Sequence, residues 1–127
     1  AAATVAEVSV DRSRVTVHRV WTAIDCGVAV HPDGVRAQCE GNVAMAVTAL
    51  LHGEITIEGG RVQQTNFDSY PLLTMGGMPE VQVEILESGE PIGGVGEPGQ
   101  PPVVPAVLNA VFAATGTRVR ELPVRLR

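Results

Sequence analysis

"TVAEVSVDRSRVTVHRVWTAID", residues 4–25, is the stretch that decides the fold. Over residues 4–10 apolar and polar side chains alternate, with Ala6, Val8 and Val10 on one side and Val5, Glu7 and Ser9 on the other. That period of two predicts a half-buried strand. "DRSR" at 11–14 reads as a turn. Residues 15–25 read as a second, longer strand rich in β-branched side chains, so the pair should form an antiparallel hairpin.

After the hairpin comes "CGVAVHP", and Asp33 is expected to cap a helix that runs to about Leu51. Gly53 then falls just past its end, with His52 near the negative pole of the helix dipole. The second half of this helix is apolar all round, which predicts burial on both sides. Gly41 in its middle costs roughly 1 kcal/mol relative to Ala, so a packing or cofactor-proximity reason is expected for it. Residues 53–67 read as strand, Gly-Gly turn, strand, and 68–79 as a loop long enough to be functional or to wrap a neighbour. "EVQVEILES" at 80–88 is another period-two strand, with Val81, Val83 and Ile85 on one side. A glycine-rich loop follows, then a helix from about Pro101 to Thr115 with Gly116 at its end. "RVRELPV" at 118–124 is expected to close as a short strand. The order predicts a single α+β domain over 1–127, a two-layer sandwich with two main helices on one face of a mixed sheet.

The composition narrows the function. At 127 residues, 45% apolar and net −5, the chain is globular in character and could bury about two-thirds of its unfolded surface. All nine basic residues are Arg, which removes both a Schiff-base lysine and a phosphate-loop lysine. Negative charge and four aromatics argue against a nucleic-acid partner. The longest apolar run, at 43–51, is too short for a membrane span, and no signal peptide is visible. Cys26 and Cys39 read as two buried thiols, and scattered His18, His31 and His52 predict no metal site. Asp25 reads as a turn residue, Trp21 as core or interface, and Arg118, Arg120, Arg125 and Arg127 as a basic, solvated tail.

Four glycines, Gly93, Gly94, Gly96 and Gly99, surround Glu97, and Pro98, Pro101 and Pro102 follow it. Gly94, Gly96 and Gly99 match the spacing of a dinucleotide loop, but Glu97 would repel a pyrophosphate and the prolines remove amide donors. The alternative is that the glycines allow unusual backbone angles and close approach by another body, while the prolines stiffen a carboxylate aimed as a base. An ordinary capping acid fits the same residues.

"GGVGEPGQPPVVPAVLNAVFAATGTRVRELPV" at the end of the chain resembles the end of the large, molybdenum-binding subunit of the xanthine oxidase family. The nearest branch is that of isoquinoline 1-oxidoreductase and aldehyde dehydrogenase. Upstream, "AIDCG", "HPDG", "QCEG", "GEIT" and "NFDSYP" stand in the same order as in that family. The resemblance implies a lobe of a subunit that hydroxylates N-heteroaromatic carbons or oxidises aldehydes, with oxygen drawn from water. It implies a molybdopterin cofactor, Glu97 as the general base toward a molybdenum-bound hydroxyl, and Gln38 as a hydrogen-bonding contact to the pterin. Gly94, Val95 and Gly96 would leave room for the cofactor, and no side chain would ligate the metal. The implied partners are the remaining lobes of the subunit, a [2Fe-2S] small subunit and a small heterocycle or aldehyde. On this resemblance the chain is a C-terminal lobe of a longer polypeptide, inactive and without tightly bound cofactor alone, and able to self-associate through an exposed apolar face. Bacterial cytoplasm and periplasm both stay open. His31 stands where an Asn is expected before Pro32, and Asn42 where a small residue is expected after Gly41. The competing reading is a non-catalytic interaction module with the same fold.

Overall fold

The computed structural model describes residues 1–126; Arg127 of the basic tail lies outside them. β1 (Ala2–Asp11) and β2 (Arg14–Asp25) form the expected hairpin, α1 spans Pro32–Leu51, and a small hairpin pairs β3 (Ile57–Glu58) with β4 (Arg61–Val62). β5 (Glu80–Leu86) and α2 (Val103–Thr115) complete the order. The main sheet runs β1-β2-β5, with β1 antiparallel and β5 parallel to the central β2. Both helices pack on one face of it. This is the mixed, two-layer α+β arrangement expected.

Alternation in β1 and β5 is as read: Ala6, Val8, Val10, Val81, Val83 and Ile85 face the helices. β2 is subtler. Val15 and Val17 are buried, and so are Val20, Thr22 and Ile24, which puts the apolar residues on odd positions first and even ones later. A bulge reconciles them. Glu7 pairs with Arg19 while Val8 pairs with Val17, leaving His18 as the extra residue. One unpaired residue shifts the phase of the strand, so both apolar sets reach the same core.

α2 presents Val103, Val107 and Val111 to that core, where they meet Val43, Ala46, Val47 and Leu50 of α1 and Val15, Val17 and Val20 of β2. A second cluster, Ile24, Cys26, Val35 and Cys39, lies under the ends of β2 and β5. Both cysteines are free and buried, and desolvation pushes the Cys39 thiol up from its usual pKa.

Several expectations need correction. Asp33 does not cap α1. His31 does, its Nδ1 accepting from the Gly34 amide at 2.7 Å, with Pro32 at the first helical position, while Asp33 pairs with Arg36. Pro32 fixes the first turn two residues earlier than the Asp signal suggested. The second half of α1 is not buried all round, because Gly41, Met45 and Ala49 line an open side and Met45 is 59% exposed. α2 starts at Val103, with Pro101 and Pro102 in the turn before it.

Residues 118–124 form no strand. Pro123 has no N–H for a ladder, and the Val124 amide instead donates to the Leu50 carbonyl at 2.8 Å, satisfying a free acceptor at the end of α1. Trp21 is half-buried on the open sheet face, its Nε1 donating to Gln82 at 3.0 Å. The loop at 68–79 is held to its own α1, since the Leu73 amide donates to the Thr48 hydroxyl at 3.2 Å.

Leu50→Ala should cost about 3 kcal/mol by loss of transfer energy and cavity formation. Met45→Ala should change stability by less than about 0.5 kcal/mol. Urea unfolding of the two variants checks the contrast.

Candidate functional site

Parallel pairing of β2 with β5 brings their C-terminal ends side by side, with Asp25 opposite Leu86 as the last pair. The chain leaving β2 and the chain leaving β5 therefore meet at one edge of the molecule. α1 begins at Pro32, shortly beyond Cys26, and its N-terminal half passes the same place. An open cleft of about 360 Å³ results, lined by Cys26, Val28, His31, Gln38, Gly93 and Val95 among others.

The glycine loop is tacked down along this edge. Ser88 donates its hydroxyl to Asp25 Oδ1 at 2.8 Å. The Gly93 amide donates to the Cys26 carbonyl at 2.8 Å. Val95 packs into the smaller apolar cluster beside Ile24, Cys26, Val35 and Cys39. Gly99 lies against the side chain of Asn42, one turn along α1 from Gln38. From Glu97 to Gln100 the chain makes a turn through Pro98 and Gly99, closed by the Gln100 amide donating to the Glu97 carbonyl at 2.9 Å. Glu97 is the first residue of that turn and is exposed, and its carboxylate makes no hydrogen bond or ion pair among the described residues. A carboxylate left free between two anchors keeps its full acceptor capacity for something else.

The glycines act differently from the expectation. None of Gly93, Gly94, Gly96 and Gly99 has a positive φ, so unusual backbone angles are not their purpose. Gly94 and Gly96 border open space, and Gly99 admits Asn42, whose Nδ2 lies 3.0 Å from where a Cβ would be. The backbone amides of Gly94, Val95 and Gly96 donate to nothing among the described residues. Gly41 also faces open space within this chain.

A left-handed backbone is found instead at Gly27, at φ +74°, where a Cβ would fall 2.5 Å from the carbonyl oxygens of Glu90 and Pro91. Asp25 holds this turn, its Oδ1 accepting from the Gly27 amide at 3.0 Å. The Gly27 amide and the Ser88 hydroxyl hold the Asp25 carboxyl below its usual pKa, with a weaker contribution from the amino group of Ala1.

The structure thus brings Gln38 and Val95 to one cleft; Gly94 and Gly96 flank Val95 in the chain, and Glu97 follows two residues after it. Gln38 is exposed and offers donor and acceptor together. Asn42 is 6% exposed, and its Nδ2 is buried without a partner, an orphan donor of the kind found beside sites that receive a ligand or shift on binding. Neutral amides, free backbone N–H groups and side-chain-free glycines suit a large, polar, planar group with many acceptors. Sequence reading missed Gly27 and the role of Asn42; the Asp-Cys-Gly turn at 25–27 was the available signal for the first.

Comparison with known proteins shows the family of the chain. The sequence profile of the molybdopterin cofactor-binding domain family matches residues 1–79. The beta subunit of isoquinoline 1-oxidoreductase from Brevundimonas diminuta is 38% identical over 125 residues, covering 97% of this chain and 16% of that protein. A membrane-bound aldehyde dehydrogenase (pyrroloquinoline-quinone) of Gluconacetobacter polyoxogenes is 40% identical over 123 residues, 95% of this chain and 16% of that one. The crystal structure of quinoline 2-oxidoreductase from Pseudomonas putida superposes with a TM-score of 0.79 at 25% identity, covering 87% of this chain and 15% of that one. The chain spans about a sixth of the length of such relatives.

Gly27→Ala should destabilise the protein by about 3 kcal/mol, from left-handed strain plus the carbonyl clash. Gly99→Ala should cost about 1 kcal/mol, most of it recovered when Asn42→Ala removes the opposing amide; a double-mutant cycle in urea measures the coupling. The carboxylate form of Asp25 supports the turn at neutral pH. Because its folded pKa is depressed, that support is complete above the ordinary carboxylate range and fades as pH falls through the lowered value. Amide exchange at Gly27 against pH reads this out.

Proposed function

The chain belongs to the molybdopterin cofactor-binding domain family, and from that premise we propose that it supplies one wall of the active site of a molybdenum hydroxylase. The observation that carries the reading is Glu97, an exposed, unpaired carboxylate that opens a turn between two anchored residues, Val95 and Gly99, and follows by two residues the Val95 that lines a cleft with Gln38. When bound, the molybdenum group supplies oxygen drawn from water and accepts the two electrons of substrate oxidation.

The work of this chain is proton transfer and positioning. Glu97 takes up a proton at a carboxylate oxygen, acting as general base. Because a metal acidifies the group it binds, the base needs reach and a fixed direction more than an extreme pKa. The anchored turn supplies direction, and Gly94 and Gly96 leave the approach unobstructed. The Gln38 amide donates through Nε2 and accepts through Oε1 at the pterin edge, while the amides of Gly94, Val95 and Gly96 are free to donate to the same group.

The substrate class is a small N-heteroaromatic compound or an aldehyde, and the electrons leave through a [2Fe-2S] partner subunit. Further lobes of the same subunit complete the pocket. The open sheet face, where Val5 is 64% exposed beside Ala3, Ala23 and Trp21, favours such a covering lobe. No helix among the described residues is long and apolar enough to cross a membrane.

The test is reconstitution of the chain with those lobes and the iron–sulfur subunit. Glu97→Gln should lower turnover by roughly 10²–10⁴-fold while molybdenum stays bound. Gln38→Ala should reduce cofactor retention more than it alters turnover per bound molybdenum. Full turnover in Glu97→Gln would defeat the assignment.

A further inference from the structure

Asp25 takes no part in the chemistry above, yet the glycine loop is built on it. It is the last residue of β2, and a single oxygen, Oδ1, accepts from two donors that belong to different parts of the chain. One is the Gly27 amide at 3.0 Å, which fixes the turn out of β2. The other is the Ser88 hydroxyl at 2.8 Å, sixty-three residues away in sequence, where the chain leaves β5. Ser88 in turn accepts from the Glu90 amide at 3.3 Å, so the clasp reaches into the loop itself.

Much of what the first half of the loop rests on lies within two residues of Asp25. Gly27 approaches the carbonyls of Glu90 and Pro91 so closely that no side chain fits between them. The Cys26 carbonyl accepts from the Gly93 amide. Ile24 and Cys26, with Val35 and Cys39 of α1, form the apolar seat of Val95, two residues before Glu97. The turn at 25–27 is therefore the template for the path from Ser88 to Val95, and the side chain of Asp25 sets that turn.

We propose that Asp25 is a positioning residue for Glu97, acting through the clasp with Ser88 and Gly27 to hold the loop that presents the base. The role rests on the reading of Glu97 as the base. It also explains why an acid is used without touching the reacting groups: an ionised carboxylate is acceptor-only, so one oxygen can take both hydrogen bonds without competition from a donor of its own.

The test compares Asp25→Ala, Asp25→Asn and Ser88→Ala in the reconstituted enzyme, with turnover expressed per bound molybdenum and amide exchange followed over residues 89–96. Asp25→Ala removes both hydrogen bonds. It should raise exchange across 89–96 and lower kcat by about 10²-fold with KM unchanged, as expected of a displaced catalytic group. Asp25→Asn keeps an oxygen at the same place and should restore most of kcat, and Ser88→Ala should fall between. Wild-type kcat in Asp25→Ala, or a loss that only follows lost molybdenum, would overturn the proposal, as would failure of Asp25→Asn to rescue. Glu97→Gln run in parallel separates the two readings. Full activity there rejects Glu97 as base, whereas the exchange of residues 89–96 in Asp25→Ala tests the clasp by itself.

Discussion

The parallel pairing of β2 with β5 is the constraint on which the site depends. Antiparallel strands would send their outgoing chains to opposite ends of the sheet. Parallel strands release them at the same end, and the connection between them has to cross back over the sheet. Here that connection includes α1, whose N-terminal half lies along the shared end. Three segments distant in sequence, the turn at 25–31, the start of α1 and the loop at 87–102, are thereby forced into contact. Gln38 and Val95 come to line one cleft because of strand direction, before any side chain chooses a partner.

The two apolar clusters divide the labour. The larger one, built on the α2 valines and the second half of α1, holds the layers together. The smaller one, under the ends of β2 and β5, is a platform for the loop, since Val95 inserts there and Gly93 is hydrogen-bonded just above. Fixing a loop with one apolar plug and a few backbone hydrogen bonds leaves its apex free while its flanks stay rigid. A base that must reach a large group without wandering needs that combination.

Much of the layout was legible in the sequence because the signals were local. Period-two alternation marks β1 and β5, Gly59-Gly60 marks a tight hairpin, and Gly116 ends α2 in the left-handed conformation at φ +72°. The bulge at His18 was readable too, as a change in phase between Val17 and Val20. The failures came where two local signals competed or where tertiary contacts decided. Asp33 looks like a cap, but Pro32 starts the helix two residues sooner and hands the task to His31. Residues 118–124 alternate like a strand, but Pro123 and a free carbonyl at Leu50 give the segment a different partner. Gly41 and Met45 look buried by composition, yet nothing within this chain covers them.

Taken alone, the sequence determined the fold class, the alternation of β1 and β5 and the identity of the conspicuous loop, because backbone preference and hydrophobic period act over a few residues. The tertiary structure alone decided what that loop rests on. The clasp from Asp25 to Ser88, the close approach at Gly27, the seat of Val95 and the orphan amide of Asn42 against Gly99 all join residues far apart in the chain. No local propensity encodes such contacts. They exist only once the sheet has fixed which ends lie together.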